Sequence, residues 1–383
     1  MNMTVISTTQ LDPQLCTSCN SRLDGLRNLY DSKGVDALLV SCEKDIRYLT
    51  GFVGHDSQLL VMREGAVIFS DARYDEFLNP WREAGFVEIV MGRRHRIHQS
   101  VKEHCAAGGV KRLGVQADSL TVSGRQTLAS NDVADSLVDT VGMVAGLRMI
   151  KDDLEIAVME RAIRIQQDAL AATMGQLTLG MTELELYARL DYEMRMRGAF
   201  GSSFDAIIGA GTNSSIIHYL VGDSPIERGT LLVDWGAEVD GYCGDLTRTF
   251  GIGEFPEKVR DMYDIVLEAQ LAAIEATGPG KICAEIDAAA RKVITEAGYG
   301  DYFGHGLGHG LGMDVHEAPY FNDLQTEVEL QPGMVMTFEP GIYVPGVGGV
   351  RIEDDVLITE SGTRVLSDYP KSITDMIIEP GSA

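Results

Sequence analysis

Leu231-Leu-Val-Asp-Trp-Gly-Ala-Glu-Val-Asp-Gly-Tyr-Cys-Gly-Asp-Leu-Thr-Arg-Thr-Phe250 holds two β-rich halves on either side of Asp240-Gly241. Asp-Gly between such halves is a strong signal for a two-residue hairpin turn. Side chains alternate faces along a strand, so a two-residue loop puts Asp234 and Asp245 on one face of the pair. A loop at Val239-Asp240 makes them direct partners, and a loop at Asp240-Gly241 makes them diagonal neighbours. Either way, two carboxylates crowd one face of an otherwise apolar ribbon.

The pattern recurs downstream. Val335-Met-Thr-Phe-Glu339-Pro-Gly-Ile-Tyr-Val344 leads through Pro345-Gly-Val-Gly-Gly349 into Val350-Arg-Ile-Glu-Asp-Asp-Val-Leu-Ile358. Any odd-length loop centred on Gly346 sets Glu339 opposite Glu353. Two like charges at about 4 Å repel by roughly 4 kcal/mol at an effective dielectric near 20. Four carboxylates on buried strands therefore need protons or cations, and cations fit better. Between the hairpins, Phe303-Gly-His-Gly-Leu-Gly-His-Gly-Leu-Gly-Met-Asp-Val-His-Glu-Ala-Pro319 supplies His305, His309 and His316. Its glycines allow close approach of a neighbouring strand or a ligand. One imidazole joined to four carboxylates is a hard, oxygen-rich donor set suited to Mn²⁺, Co²⁺, Fe²⁺ or Zn²⁺. A bridged pair of divalent ions balances the charge and supplies what hydrolysis requires: a hydroxide at neutral pH and a Lewis acid on the carbonyl.

Around this constellation the chain divides in two. Residues 21 to about 145 alternate helix and strand: a helix from about Arg22 to Lys33, the run Asp36-Ala-Leu-Leu-Val40, and a hairpin of Gln58–Met62 with Ala66–Phe69. Helical patterns follow over Asp75–Ala84 and His95–Ala107. A boundary near residue 150 gives an N-terminal α/β domain over 1–150 and a catalytic domain over 151–383. In the second part, Leu154, Val158, Ala162 and Ile165 recur at helical spacing, and the pattern runs to about Leu177. Further helices are expected over Glu183 to about Arg197, Pro256–Ala276 and Ala284–Ala297, set among β-rich segments. His95, His98 and His104 lie among Arg93, Arg94, Arg96 and Lys102, a solvated basic face rather than a cation site.

Composition narrows the function. Over 383 residues the formal charge is -25, with 32 basic against 57 acidic side chains. That balance lacks the basic face needed for nucleic acid or an anionic membrane. No apolar run reaches the roughly 18 to 20 residues of a membrane span. Met1–Asn20 carries no basic or apolar signal region, and six cysteines are too sparse for a disulfide scaffold, so a cytoplasmic setting is expected. Cys16 and Cys19 form a lone CxxC on a polar, mobile N-terminal segment; with no second CxxC they read as two free thiols.

Taken together, these residues resemble the metallopeptidase family of methionine aminopeptidase, Xaa-Pro aminopeptidase, prolidase and creatinase. Tyr48-Leu-Thr-Gly-Phe52 and Ser70-Asp-Ala-Arg-Tyr74 look like the N-terminal domain of its prolidase and Xaa-Pro aminopeptidase branch. The resemblance implies an α+β chain: a pita-bread catalytic domain preceded by a smaller α/β domain. It also implies two divalent metal ions per subunit, Mn²⁺ before Co²⁺, Zn²⁺ or Fe²⁺. Asp234 would chelate one ion and Asp245 and Glu353 would bridge, while His309 and Glu339 would bind the other, Glu339 also accepting the proton of the bridging water. His218 would contact substrate, His316 would stabilise the tetrahedral intermediate, and His305 would mark the proline-specific branch. Tyr343 and Arg351 would stand behind the two glutamates. The activity implied is cleavage of Xaa-Pro bonds in short peptides with proline at the second position, by a homodimer or higher homo-oligomer. Ile217 departs from the proline often found before the His218 position, so a different substrate pocket is expected there. A metal-dependent hydrolase or lyase of a small non-peptide substrate, or a metal-free binding module on the same fold, are the alternatives.

Overall fold

The computed structural model describes residues 11–381. The chain forms two compact units, Met1–Arg148 and Met149–Ala383.

In the first unit, six strands make one mixed sheet: β1 (Ala37–Val40), β2 (Gln58–Met62), β3 (Ala66–Ser70), β4 (Glu88–Met91), β5 (Arg112–Gln116) and β6 (Ser136–Thr140). Their order is β4-β3-β2-β1-β5-β6, with β2 antiparallel to both its neighbours and the β3–β4, β1–β5 and β5–β6 pairs parallel. Leu39, Leu60, Val67, Phe69, Leu113 and Val115 fill the core beneath the helices. The hairpin between β2 and β3 turns where expected, with Gly65 at φ 80°.

Two expectations need correction here. The first helix begins at Pro13, not near Arg22, and runs to Asn28. Asp12 caps it by accepting from the Gln14 N–H at 2.8 Å, and proline at the first helical position needs no donor of its own. Leu15, Cys19, Leu23 and Leu26 form its buried stripe. Cys16 and Cys19 therefore stand on an ordered helix rather than a mobile segment, with Cys19 buried in its apolar stripe. The first ten residues of the N-terminal stretch lie outside the described residues. Second, the helix expected over Asp75–Ala84 shrinks to Asn79–Ala84 after a short 3-10 turn at Ala72–Tyr74. Pro80 is tolerated only in a first turn, which forces that late start.

The second unit holds two helix pairs of similar build. Asp153–Met174 is followed by Glu183–Met196, and Glu257–Ala276 by Cys283–Glu296. Asp152 with Glu155, and Thr182 with Glu185, close complete capping boxes at the first two N-termini. The strands are β7 (Gly201–Ser202), β8 (Ile207–Ala210), β9 (Gly229–Trp235), β10 (Ala237–Val239), β11 (Tyr242–Cys243), β12 (Leu246–Ile252), β13 (Gly308–Gly310), β14 (Glu317–Phe321), β15 (Val335–Phe338), β16 (Gly341–Val344), β17 (Gly348–Arg351), β18 (Asp354–Thr359), β19 (Gly362–Val365) and β20 (Ile377–Ile378). One sheet runs β20-β12-β9-β8 and another β14-β13-β15-β18-β19. A single apolar core, including Ile163, Leu186, Trp235, Phe250, Val266, Ile286, Phe338 and Val356, joins these sheets to all four helices.

Register decides where the acidic residues fall. Val239 pairs with Tyr242, so the turn is Asp240-Gly241, with φ values of 47° and 78°. This is the left-handed two-residue turn that Asp-Gly favours. It selects the diagonal arrangement: Asp234 pairs with Thr247, and Asp245 lies two residues before that partner. In the later hairpin, Phe338 pairs with Asp354 and Gly341 with Arg351. The register is unchanged across the intervening gap, which brings Glu339 and Glu353 face to face at the bend. Both sit just outside the ladder, where their side chains are not confined to a strand face.

The glycines of the histidine stretch have a packing reason. Strand β13 is squeezed between β14 and β15, and a Cβ on Gly308 would lie 2.1 Å from the Thr337 carbonyl oxygen. Gly310 meets the Ala318 carbonyl oxygen almost as closely, at 2.5 Å. Among the described residues no helix is long and apolar enough to cross a membrane.

Replacing Gly308 with alanine forces β13 away from β15. The expected result is a loss of about 1–3 kcal/mol in denaturant unfolding, with weaker metal binding because His309 moves too. Unchanged stability would show that the close approach is not required.

Candidate metal centre

Strand β12 and the β17–β18 corner are stitched together by short polar contacts. The Glu353 N–H donates to the Thr247 carbonyl at 3.1 Å, and Thr249 Oγ1 donates to the Arg351 carbonyl at 3.0 Å. Thr247 Oγ1 donates to Glu353 Oε2 at 2.7 Å, fixing that carboxylate. The first acidic hairpin is thereby held against the second.

On this seam Asp245, His309 and Glu353 converge, all buried, each offering a ligand atom within 4.8 Å of the others. His309 Nε2 lies 3.3 Å from Glu339 Oε1 and 3.8 Å from Asp245 Oδ2. Its other ring nitrogen, Nδ1, faces the Gly310 carbonyl at 3.1 Å. That contact places a proton on Nδ1 and makes Nε2 the nitrogen that faces the carboxylates: with no cation bound it donates to Glu339, and it is the nitrogen that would ligate a metal once that proton is given up. The His309 N–H donates to Thr337 Oγ1 at 3.0 Å, which holds the backbone in place.

Asp234 stands beside this group rather than within it. Its Oδ2 accepts from Arg351, while its Oδ1 is buried with no hydrogen-bond partner. A buried carboxylate oxygen without a donor is unstable unless a cation meets it. Burial, followed by the nearby Glu353 and Asp234 carboxylates, pushes Asp245 well above the usual carboxylate range. Burial and the charges of Glu339 and Asp234 do the same to Glu353, and burial raises Asp234 despite Arg351. For Glu339, burial is outweighed by the hydrogen bond and charge of His309, which hold its carboxyl below the ordinary value. Protein charges thus satisfy one carboxylate of the four and leave three in deficit. The donor set fits divalent cations.

Of the remaining residues expected at the site, His218, His305, His316 and Arg351 line one cavity of about 440 Å³ together with all five acidic and histidine positions above, while Tyr343 stands behind its wall. His305 accepts from or donates to Tyr343 Oη through Nε2 at 3.0 Å, and its Nδ1 faces the Gly306 carbonyl at 2.8 Å. Burial lowers its pKa, so it is the neutral ring, protonated at Nδ1 and accepting from Tyr343. Tyr343 in turn accepts from Arg351 at 2.8 Å. Tyr343 and Arg351 thus link to Asp234 and His305 rather than directly to the two glutamates. His316 packs edge-on against His309, with ring centroids 4.3 Å apart. Burial, then His309 and His218, lowers the pKa of His316. His218 lies at the exposed mouth of the cavity.

Residues 157–360 match metallopeptidase family M24, and residues 22–150 match the creatinase/prolidase N-terminal domain. The chain belongs to metallopeptidase family M24. An Xaa-Pro dipeptidase from Pyrococcus horikoshii is 35% identical over 358 residues, spanning 92% of this chain and 99% of the relative. The structure of an Xaa-Pro dipeptidase from Bacillus anthracis superimposes with a TM-score of 0.88 at 36% identity, covering 94% of this chain and all of that one. An X-Pro aminopeptidase from Thermotoga maritima gives a TM-score of 0.84 at 33% identity, covering 90% of this chain and 98% of the other. The expected architecture, a creatinase-type N-terminal domain followed by a pita-bread M24 domain, is present. As an M24 metallopeptidase the chain depends on divalent metal.

Several residues of this M24 centre escaped the sequence reading. Thr247 orients Glu353 and accepts from Arg351 Nε at 3.0 Å. Asp355 accepts from the Asp245 N–H at 3.2 Å, and its other oxygen is buried without a partner. Thr337 anchors His309 from a neighbouring strand. Phe204, Asp205, Tyr320 and Asn322 also line the cavity. None belongs to a short motif; each is recruited across the fold, beyond the reach of local periodicity.

The raised carboxyl groups predict how the metal-free enzyme responds to pH. A group whose folded pKa exceeds its unfolded value favours the fold while protonated and loses that contribution as pH rises through the folded value. Asp245 and Glu353 both belong to this class. Chelator-treated protein should therefore lose thermal stability as pH rises from about 5 upward, where ordinary carboxylates are already ionised. Metal-loaded protein should be flat over that interval, and Glu353→Gln should flatten the chelated curve. Identical slopes with and without metal would refute the deficit of positive charge.

Proposed function

We propose that this enzyme hydrolyses the Xaa-Pro bond of short peptides, with two divalent cations per subunit, Mn²⁺ before Co²⁺, Zn²⁺ or Fe²⁺. The observation that carries the reading is the convergence of Asp245, His309 and Glu353, with Glu339 touching His309, beside a cavity walled by three further histidines. Relatives named as Xaa-Pro dipeptidases and an X-Pro aminopeptidase support the substrate class. Asp234 would hold one ion and His309 with Glu339 the other, and Asp245 and Glu353 would serve as ligands to them as well. When bound, the metal supplies a nucleophile at neutral pH and polarises the scissile carbonyl.

The side chains do the rest. Glu339, kept ionised beside His309, accepts the proton of the attacking water and passes it toward the leaving imide nitrogen. His316 donates a hydrogen bond to the carbonyl oxygen as charge develops there, with His218 assisting from the cavity mouth. His305, neutral and held by Tyr343, contacts the substrate near proline. Arg351 restrains Asp234 through Oδ2, which leaves its unpartnered Oδ1 as the oxygen that would meet the metal. The same reading places residues 1–150 and 151–383 as separate N-terminal and catalytic domains. It also includes a homodimer or higher oligomer and a cytoplasmic location, the latter in keeping with six sparse cysteines that form no disulfide framework.

The test is release of the first residue or of proline from Ala-Pro and Ala-Pro-Gly, with each metal added to chelator-treated protein. Turnover of the dipeptide alone would define a dipeptidase, and turnover of both an aminopeptidase. Absence of hydrolysis by folded, metal-loaded protein would defeat the proposal. Replacing His316 with alanine should lower kcat by about 10²–10³-fold, the usual loss for one group that stabilises an oxyanion, while leaving metal content intact. Loss of metal in that variant would make His316 a ligand instead.

A further inference from the structure

Glu183 is the first residue of the helix Glu183–Met196, a place where a carboxylate usually points to solvent. Here it is fully buried, at 0% exposure. Its Oε1 accepts from the Ala210 N–H at 2.8 Å and from Asn213 Nδ2 at 3.0 Å, and its Oε2 accepts from Tyr219 Oη at 2.8 Å. Asn213 Nδ2 also approaches Tyr219 Oη at 2.9 Å and Ser224 Oγ at 3.2 Å. Burial of a carboxylate is costly unless several donors meet it. These donors, together with the positive end of the helix, meet that need. All three donors belong to one segment, residues 210–219.

That segment is the one that carries His218. Between Gly211 and Gly229 the chain has no strand, only the short 3-10 turn Gly211–Ser215. Apolar anchoring is confined to its far part, where Val221 packs against the core and Ile226 is buried; nearer the cavity Ile216 is 52% exposed and Leu220 87%. Its far end is tied by backbone bonds, Glu183 N–H to Ser224 O and Leu184 N–H to Gly222 O. Its near end is tied by the Gly349 N–H donating to Ser214 Oγ at 2.8 Å. Between those ties, Ile217, His218, Tyr219 and Leu220 face the catalytic cavity. Tyr219 is the member of this run with a bond to a fully buried group. Burial and the Glu183 carboxylate raise its pKa, so the hydroxyl remains a donor.

We propose that Glu183 is a positioning residue for the substrate: through Tyr219 and Asn213 its buried carboxylate holds the cavity-facing run Ile217–Leu220, and with it His218, in the binding geometry. Glu183 itself does not line the cavity and touches no metal ligand, so its effect is on substrate engagement, not metal content. This rests on His218 contacting substrate, as in the function proposed above. A wall held by a charged hub, rather than by apolar packing, can be exposed to water and still present one conformation.

Two variants test it in the metal-loaded, full-length enzyme: Glu183→Gln, and the milder Tyr219→Phe, which removes one hydroxyl and leaves the hub otherwise intact. Amide hydrogen exchange followed by mass spectrometry needs no substrate. Exchange over residues 211–222 should accelerate about tenfold or more in E183Q, and over 216–222 in Y219F. Strands β9 and β12 should stay as protected as in the wild type. With Ala-Pro as substrate, E183Q should raise KM about tenfold at unchanged metal content. The E183Q/H218A double variant should be no worse than H218A alone, because both changes remove the same contact. Unchanged loop exchange would overturn the proposal, as would acceleration throughout the unit or multiplicative losses in the double variant. If the wild type fails to cleave Ala-Pro, the substrate reading falls, and the exchange result alone decides whether Glu183 holds the loop.

Discussion

Four carboxylates are held at the meeting line of two β-hairpins, where water cannot screen them. Their mutual repulsion is the constraint to which the second unit is built. Asp245 and Glu353 sit where burial and like charge both oppose ionisation, and Asp234 keeps one oxygen with no protein donor. A fold cannot hold such a cluster by apolar packing alone. It needs rigid polar supports behind the cluster and cations in front of it.

Arg248 is the clearest of the supports. It is wholly buried, yet every guanidinium N–H finds an acceptor. Nε donates to the Pro370 carbonyl, NH1 to the carbonyls of Thr247 and Glu353, and NH2 to Asp354 and the Tyr369 carbonyl. One side chain thus joins β12, the metal-facing corner and the segment after β19. Lys371 also reaches Asp354, and Gln270 reaches the carbonyls of Phe338 and Ile352. The residues flanking Glu339 and Glu353 are therefore fixed from behind. Close approach of β13, possible because Gly308 and Gly310 lack side chains, then delivers His309 to the same line.

The substrate side is built on a different principle. His218 and His316 are on exposed loops, so their geometry depends on a few buried polar anchors beneath them. Glu317, next to His316, accepts from the buried Lys151 at 3.3 Å and from the Asp314 N–H at 3.0 Å. Glu183 plays the matching part beneath His218. Rigid strands carry the metal ligands, where errors of a few tenths of an ångström matter. Tethered loops carry the groups that meet a substrate entering from solvent.

Local chemistry in the sequence determined a large part of this. Asp-Gly at 240–241 set a hairpin turn, the odd loop about Gly346 set a register, and apolar spacing located the four catalytic-unit helices to within a few residues. The same-face pairing of the acidic residues followed, because strand alternation is a property of the chain itself. What sequence alone left open was which contacts form between distant segments. Turn placement chose the diagonal relation of Asp234 and Asp245 only once β9 and β12 were paired. Thr247 meets Glu353 across 106 residues of sequence, and Arg351 meets Asp234 across 117. Glu183 opens a helix expected from the sequence, but only the fold buries its carboxylate. Periodicity and turn residues act over a few positions, so they encode elements and registers. Convergence of a metal site depends on how sheets pack, and that was decided by tertiary structure.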